Sequence, residues 1–290
     1  MATSKEQTTF KLISDLFKLR LASLVVFSAS VGYIFYQAPN IEWLNVLWLS
    51  IGGVLVTGCA NALNQIIEIN SDALMDRTKG RPLPSGNMNK NSAVVMALVA
   101  GLAGLLILLI VFNFNAFLLG VGAIVSYAFV YTPMKKVSPW AVFIGAFPGA
   151  IPPLLGYVAA SNTFDVNAGL LFVTQFMWQF PHFWAIAWNL EEDYNLGGFS
   201  LLPSAGGRNK QSAYQILIYT LFVIPIGLLP WAFDMCGIYY AVVATLLGMY
   251  MAYWAFKLYF SCEVKDAKKL MFSSFAYLPF TQILMVIDKI

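Results

Sequence analysis

Apolar stretches of about 20 residues follow one another along almost the whole chain, near positions 20–37, 44–68, 92–113, 115–131, 139–160, 166–190, 212–232, 236–256 and 270–288. Each is long enough to cross a hydrocarbon core of ~30 Å as an α-helix. Few folds are open to such a chain. Lipid offers the backbone no hydrogen bonds, so a spanning segment is either a helix or part of a closed barrel. These runs are continuous and lack the alternation of a membrane barrel. Charged residues make up only 11% of the 290 positions, against roughly 25% in a soluble domain. The expectation is an all-α membrane protein, a single bundle of about nine transmembrane helices with no appended water-soluble module.

The basic residues orient the bundle. With the N-terminus on the cytoplasmic side, the inner ends carry Lys5, Lys11, Lys18 and Arg20, then Arg77, Lys79, Arg81 and Lys90, then Lys135 and Lys136. Arg208 and Lys210 follow, then Lys257, Lys265, Lys268 and Lys269, which leaves Lys289 alone outside among 17 basic residues. This is the positive-inside bias. The first segment contains Glu6 and Asp15 and does not read as a cleaved targeting peptide, so a bacterial plasma membrane is expected. Cys59, Cys236 and Cys262 show no metal-ligand spacing, and with one histidine in the chain a zinc site is not expected. A net charge of +3 spread over loops calls for no nucleic acid.

Two inner connections, near 69–91 and 191–211, are longer than the rest and follow the second and sixth spans. Around the first, Asn64, Glu68 and Asp72 recur every four residues. On a helix that spacing puts two carboxylates and an amide on one stripe, which Asp76 extends if the helix continues. Any one of these groups is explained as well by capping at the water interface. The set is not, because ionisable groups at a membrane span are expensive. Hard oxygen ligands held close together suit Mg²⁺ bound with phosphate, and Arg77, Thr78, Lys79 and Arg81 come next, a cluster suited to diphosphate oxygens or simply to charge balance. Around the second connection stand Glu191, Glu192 and Asp193, with Asn189 and His182 on the preceding helix. Two such clusters facing each other suit a pair of metal ions bridging a diphosphate. His182 has three readings open: a hydrogen bond within the bundle, a contact with the diphosphate site, or a ligand to haem iron. A transporter using intramembrane acids is the alternative outside enzymes. Gly145, Pro148, Gly149, Pro152 and Pro153 predict an irregular fifth span.

These segments resemble the UbiA superfamily of intramembrane prenyltransferases and, within it, the haem-farnesylating branch. The superfamily motif NDxxDxxxD reads here Asn64-Gln65-x-x-Glu68-x-x-x-Asp72; MDRTKGRPLPSG (75–86) is similar to MxRTxxRPLxxG; WQxPHF appears at Trp178–Phe183, followed by Glu192-Asp193-Tyr194 and then Gly197 and Gly198. YTPMKK (131–136) and GAFPGAIPPLLGY (145–157) resemble the same branch. Gln65 departs from the motif's second acid, Glu68 stands where many relatives have Asp, and His182 and Asn189 occupy acidic places of the quinone-precursor enzymes. Ala141 stands where that branch has Asn.

The resemblance implies a UbiA-like bundle that transfers the farnesyl group of farnesyl diphosphate to a vinyl group of haem B, giving haem O and diphosphate. It implies Mg²⁺ on Asn64, Glu68, Asp72, Glu192 and Asp193. Arg77, Lys79, Arg81, Lys135 and Lys136 would bind the diphosphate, and Tyr131, His182, Asn189 and Tyr194 would contact substrate. A quinone precursor or a chlorophyll-like tetrapyrrole is the alternative acceptor; a haem A synthase or oxidase assembly factors are possible partners.

Overall fold

The computed structural model describes residues 8–204 and 206–290; Lys5 and Glu6, used above, lie outside the described residues. The chain begins with a short helix, α1 (Thr9–Phe17), whose Ile13, Leu16 and Phe17 pack onto the second long span. Lys18 then adopts a left-handed conformation (φ 49°, ψ 54°) and turns the chain into α2 (Leu19–Gln37). Next come α3 (Trp43–Ile67) and one further turn, α4 (Ile69–Asp72). A loop leads to α5 (Lys90–Ile107), carried on by a wider π-helical turn at Leu108–Phe112. The next span joins α6 (Phe114–Val125) through a second π-helical turn, Ser126–Tyr131, to α7 (Thr132–Met134). There follow α8 (Ala141–Ser161), α9 (Val166–Asn189), α10 (Glu191–Leu196), α11 (Lys210–Gly227), α12 (Leu229–Ala232), α13 (Ile238–Ser261) and α14 (Val264–Ile287).

Among the described residues, eight of the long helical segments are apolar and long enough to cross a membrane. The sixth span, α9, has the length (24 residues) but carries Gln175, Gln179, His182 and Asn189. It packs between α8, α11 and α14 rather than facing lipid all round, which is how a helix can carry such groups. The chain is a multi-pass helical membrane protein.

Three expectations need correction. The helix of the first acidic stripe ends at Asp72, so Asp76 does not extend it: its carboxylate is exposed and paired with Lys79 Nζ at 2.5 Å. The inner loop drawn between 256 and 270 shrinks to Cys262 and Glu263, because α13 runs on to Ser261 and α14 starts at Val264. Lysines there extend along helix ends, where long stems cover apolar surface while the charge stays wet. Third, α8 is continuous despite Pro148, Pro152 and Pro153. Gln175 Nε2 on α9 donates to Gly149 O at 2.7 Å, the carbonyl that Pro153, four residues later, has no N–H to meet. Gln282 Nε2 in turn donates to Gln175 Oε1 at 2.8 Å, and Ser28 Oγ to Gln282 Oε1 at 3.1 Å. A buried amide chain thus joins α2, α14, α9 and α8. The glycines serve close approach instead of irregularity: a Cβ at Gly156 would strike Ala29 O, and one at Gly32 would strike Pro153 O.

Candidate active site

A cavity of 980 Å³ opens at the end of the bundle where α3 stops and α8 starts. Six basic side chains line it (Lys11, Lys18, Arg20, Arg77, Arg81 and Lys135) against three acidic ones, Asp15, Glu68 and Asp72. Each deep acid is already partnered. Arg81 Nη1 donates to Asp72 Oδ2 at 2.6 Å, and Lys135 Nζ lies 2.5 Å from Glu68 Oε1. Asp72 and Glu68 are only 1% and 4% exposed. Asn64, one turn before Glu68, is the hub: its Nδ2 donates to Glu68 Oε2 at 2.8 Å and to Thr132 Oγ1 at 3.0 Å, while its Oδ1 accepts from Lys18 Nζ at 3.1 Å. The stripe read from the four-residue spacing is therefore real, kept through the break at Glu68 by Asp72 N donating to Glu68 O at 2.8 Å.

The electrostatics favour an anion. Burial, and then the neighbouring Arg81 and Lys135 cations, push the Lys18 ammonium down from 10.5 to about 7. Burial also holds Lys135 below the usual lysine range, against the pull of Glu68. Crowded, desolvated cations of this kind suit an anionic ligand. On the far wall, Arg77 N–H donates to Asp193 Oδ1 at 3.4 Å, Arg77 Nε lies 3.8 Å from Asp193 Oδ2, and the guanidinium sits 5.8 Å from the Tyr194 ring. Lys135 Nζ lies 5.2 Å from the Tyr131 ring and 4.9 Å from that of Phe199. Below, an apolar cleft of 210 Å³ runs down between α2, α3, α6 and α8, and shares Leu21, Tyr127 and Tyr131 with the cavity. The π-helical turn puts both tyrosines on that boundary, their ring centroids 5.4 Å apart.

The structure thus gathers Asn64, Glu68, Asp72, Arg77, Arg81, Tyr131, Lys135 and Tyr194 around one cavity, with Asp193 against Arg77. It does not bring in the rest. Glu192 is turned to Arg208 Nη1 at 2.8 Å with 87% of its side chain exposed, and Glu191 is held by the same guanidinium. Lys79 pairs outward with Asp76, and Lys136 is exposed. Asn189 Nδ2 donates to Ala185 O of its own helix at 2.7 Å. His182 faces α14, its Nδ1 2.8 Å from Ser274 Oγ and its ring stacked 4.4 Å from Trp178. That is the first of its three readings, a hydrogen bond within the bundle.

The residues fit a metal held together with phosphate better than a metal held alone. Among the described residues the buried Asp72 Oδ1 has no hydrogen-bond partner, while Asp193 Oδ2 and Glu68 Oε1 have only their ion pairs with Arg77 and Lys135. Among the described residues no three acidic, histidine or cysteine side chains converge on one point. Mg²⁺ commonly uses one or two carboxylates and fills the remainder of its shell with water and substrate oxygens.

Residues 25–277 match the model of the UbiA prenyltransferase family. The chain belongs to that family. It is 46% identical over 287 residues to the protoheme IX farnesyltransferase of Cytophaga hutchinsonii, covering 99% of each protein. Its fold is similar to that of a solved structure of digeranylgeranylglyceryl phosphate synthase (TM-score 0.79, 19% identity, 96% of this chain and 98% of the other). It is similar too to a UbiA homologue from Archaeoglobus fulgidus bound to DMAPP and Mg²⁺ (TM-score 0.69, 13% identity, 94% and 98%).

Against the UbiA motif, Gln65 no longer reads as a missing acid. Its Nε2 donates to Asp15 O at 2.9 Å and Leu16 O at 2.7 Å, and Asn61 Nδ2 donates to Phe17 O at 3.1 Å. Two amides of α3 thus cap the open carbonyls of α1 and hold it along the cavity wall. Ala141 is fully buried in the packing around α9 and adds nothing polar to the site. Lys18, Thr132, Tyr127 and Phe199 were missed. Lys18 could have been found only by asking what a lysine does at the very foot of a spanning run.

Proposed function

We propose that this UbiA-family prenyltransferase transfers the farnesyl group of farnesyl diphosphate to a vinyl group of haem B, releasing diphosphate, with magnesium bound together with the diphosphate. The observation that carries the reading is one cavity with surplus cations and half-free carboxylates, opening through Tyr127 and Tyr131 into an apolar cleft. An amphiphile with a diphosphate head and an isoprenoid tail matches both parts. The acceptor is supported by the 46% identity to a protoheme IX farnesyltransferase over essentially the whole chain, and the metal by the diphosphate-and-Mg²⁺ complex of the Archaeoglobus homologue.

In this reading Lys18, Arg77, Arg81 and Lys135 hold the diphosphate, and Asn64, Glu68, Asp72 and Asp193 supply the metal's protein oxygens. Magnesium, when bound, neutralises the leaving charge. The allylic C–O bond breaks with its electron pair leaving on the diphosphate, so fixed positive charge at that end lowers the barrier most. Arg81 and Lys135 exchange their carboxylates for diphosphate oxygens as the substrate seats. Tyr127 and Tyr131 present ring faces where the allylic cation forms. The haem vinyl carbon attacks that cation, and water captures the resulting carbocation, losing a proton. The site belongs at the cytoplasmic face of a bacterial plasma membrane, and the chain acts as one domain.

Purified protein incubated with haem B, farnesyl diphosphate and Mg²⁺ is expected to add one farnesyl unit plus water to haem, read by mass spectrometry. Asp72→Asn, which keeps shape and removes a ligand charge, is expected to lose at least about 100-fold in turnover while eluting as folded protein. Unchanged haem, with a phenolic acid prenylated instead, overturns the acceptor; near-normal turnover by the variant overturns the site.

A further inference from the structure

Another cavity, of 510 Å³, lies at the corner between α13 and α14, at the same end of the bundle, and shares no lining residue with the first. Trp254, Lys257 and Ser261 follow at i, i+3 and i+7 on α13, and Lys265 and Lys269 at i and i+4 on α14. The two-residue turn at Cys262 and Glu263 brings these stripes together. Not every charge there is free. Lys265 Nζ is paired with Glu263 Oε2 at 2.6 Å, and Asp266 Oδ2 accepts from Ser261 Oγ at 2.6 Å. Lys257 and Lys269, however, have no carboxylate within ion-pair range among the described residues. Their ammoniums lie by rings instead, Lys269 Nζ 4.3 Å from Trp254 and Lys257 Nζ 5.8 Å from Tyr253. The buried Trp254 indole N–H has no acceptor among the described residues.

We propose that this corner binds the headgroup of an anionic phospholipid, with phosphodiester oxygens accepting from Lys257, Lys269 and the Trp254 N–H. Basic pockets between spanning helices are suited to acidic headgroups, and tryptophan sits at headgroup depth. The cavity's apolar wall decides for lipid over a free phosphate ion. Tyr253 and Phe260 are at least half exposed, on the flank where acyl chains run, and an inorganic ion has no use for that wall. The lysines decide for a net negative headgroup, since the ammonium of a zwitterionic lipid would be repelled.

The test is native mass spectrometry of the full-length protein titrated with phosphatidylglycerol or phosphatidylcholine in mixed micelles. Wild type is expected to retain phosphatidylglycerol over phosphatidylcholine, and Lys257→Gln and Lys269→Gln each to lower retention about fivefold. Trp254→Phe, which keeps an aromatic face for Lys269 and removes the N–H, is expected to weaken retention as well. Lys268→Gln, an equal loss of charge on an exposed position outside the cavity, is expected to change nothing, and this pairing separates a built site from diffuse attraction. Unfolding temperature in detergent is read alongside, so that a variant that merely misfolds is recognised by Lys268→Gln and Lys269→Gln differing in melting instead of in lipid. Equal retention of the two lipids overturns the proposal. So does an equal effect of Lys268→Gln and Lys269→Gln, or displacement of the bound lipid by millimolar inorganic phosphate.

Discussion

At the scale of single residues, Gln65 is the position where the family motif misleads most. Where the motif has an acid, the resemblance implies a metal-site residue; here the amide lies outside the cavity lining and fastens α1. Gln65→Leu removes the donors from two carbonyls and is expected to loosen α1 by about 1–3 kcal/mol. Hydrogen exchange of residues 9–18 is the measurement: protection should fall by one to two orders of magnitude there and stay unchanged in α11. Unaltered exchange would mean that apolar packing alone holds the helix. The carboxylates and the Arg77–Arg81 cluster were legible because they are close in sequence and chemically conspicuous. Lys18 and Thr132 were not. They stand 46 and 68 positions from Asn64, and only the left-handed turn at Lys18 and the π-helical turn before Thr132 aim them at it.

Among the elements, α8 carries the sharpest lesson. Three prolines in one span argue for a broken helix, yet at Pro153 the lost bond is replaced from outside: Gln175 Nε2 of α9 donates to Gly149 O, the carbonyl that Pro153 has no N–H to meet. No reading of α8 by itself contains that information. Gln175→Leu leaves Gly149 O bare inside the bilayer and is expected to cost about 1–3 kcal/mol, seen as a lower unfolding temperature in detergent. Adding Pro153→Ala restores a backbone N–H to the same carbonyl, so the double variant should recover part of the loss. A double variant less stable than either single one would show that the proline, and not the amide, keeps α8 in place. Span boundaries were legible to a few residues where Gly, Asn or Pro punctuate them. They failed at α13–α14, where the chain turns on Cys262 with φ 52° and the flanking lysines are helical.

For the whole molecule, the count of spans follows from hydrophobic length, and the placement of lysine and arginine is the ground for the proposed side of the cavity. The sidedness is testable in intact cells in a Cys262→Ser background. Thr163→Cys is expected to react with a membrane-impermeant maleimide added outside, and Ser85→Cys only after the membrane is opened; the reverse pattern would invert the bundle. The cavity is wet and positive while the cleft beneath it is dry, and they meet at two tyrosine rings. Under the proposed reaction that boundary also sorts the products. The diphosphate partitions into water and the farnesylated macrocycle, now greasier than its precursor, into lipid. The two products are parted by phase as soon as they form, and the reverse reaction would have to bring them back from different solvents.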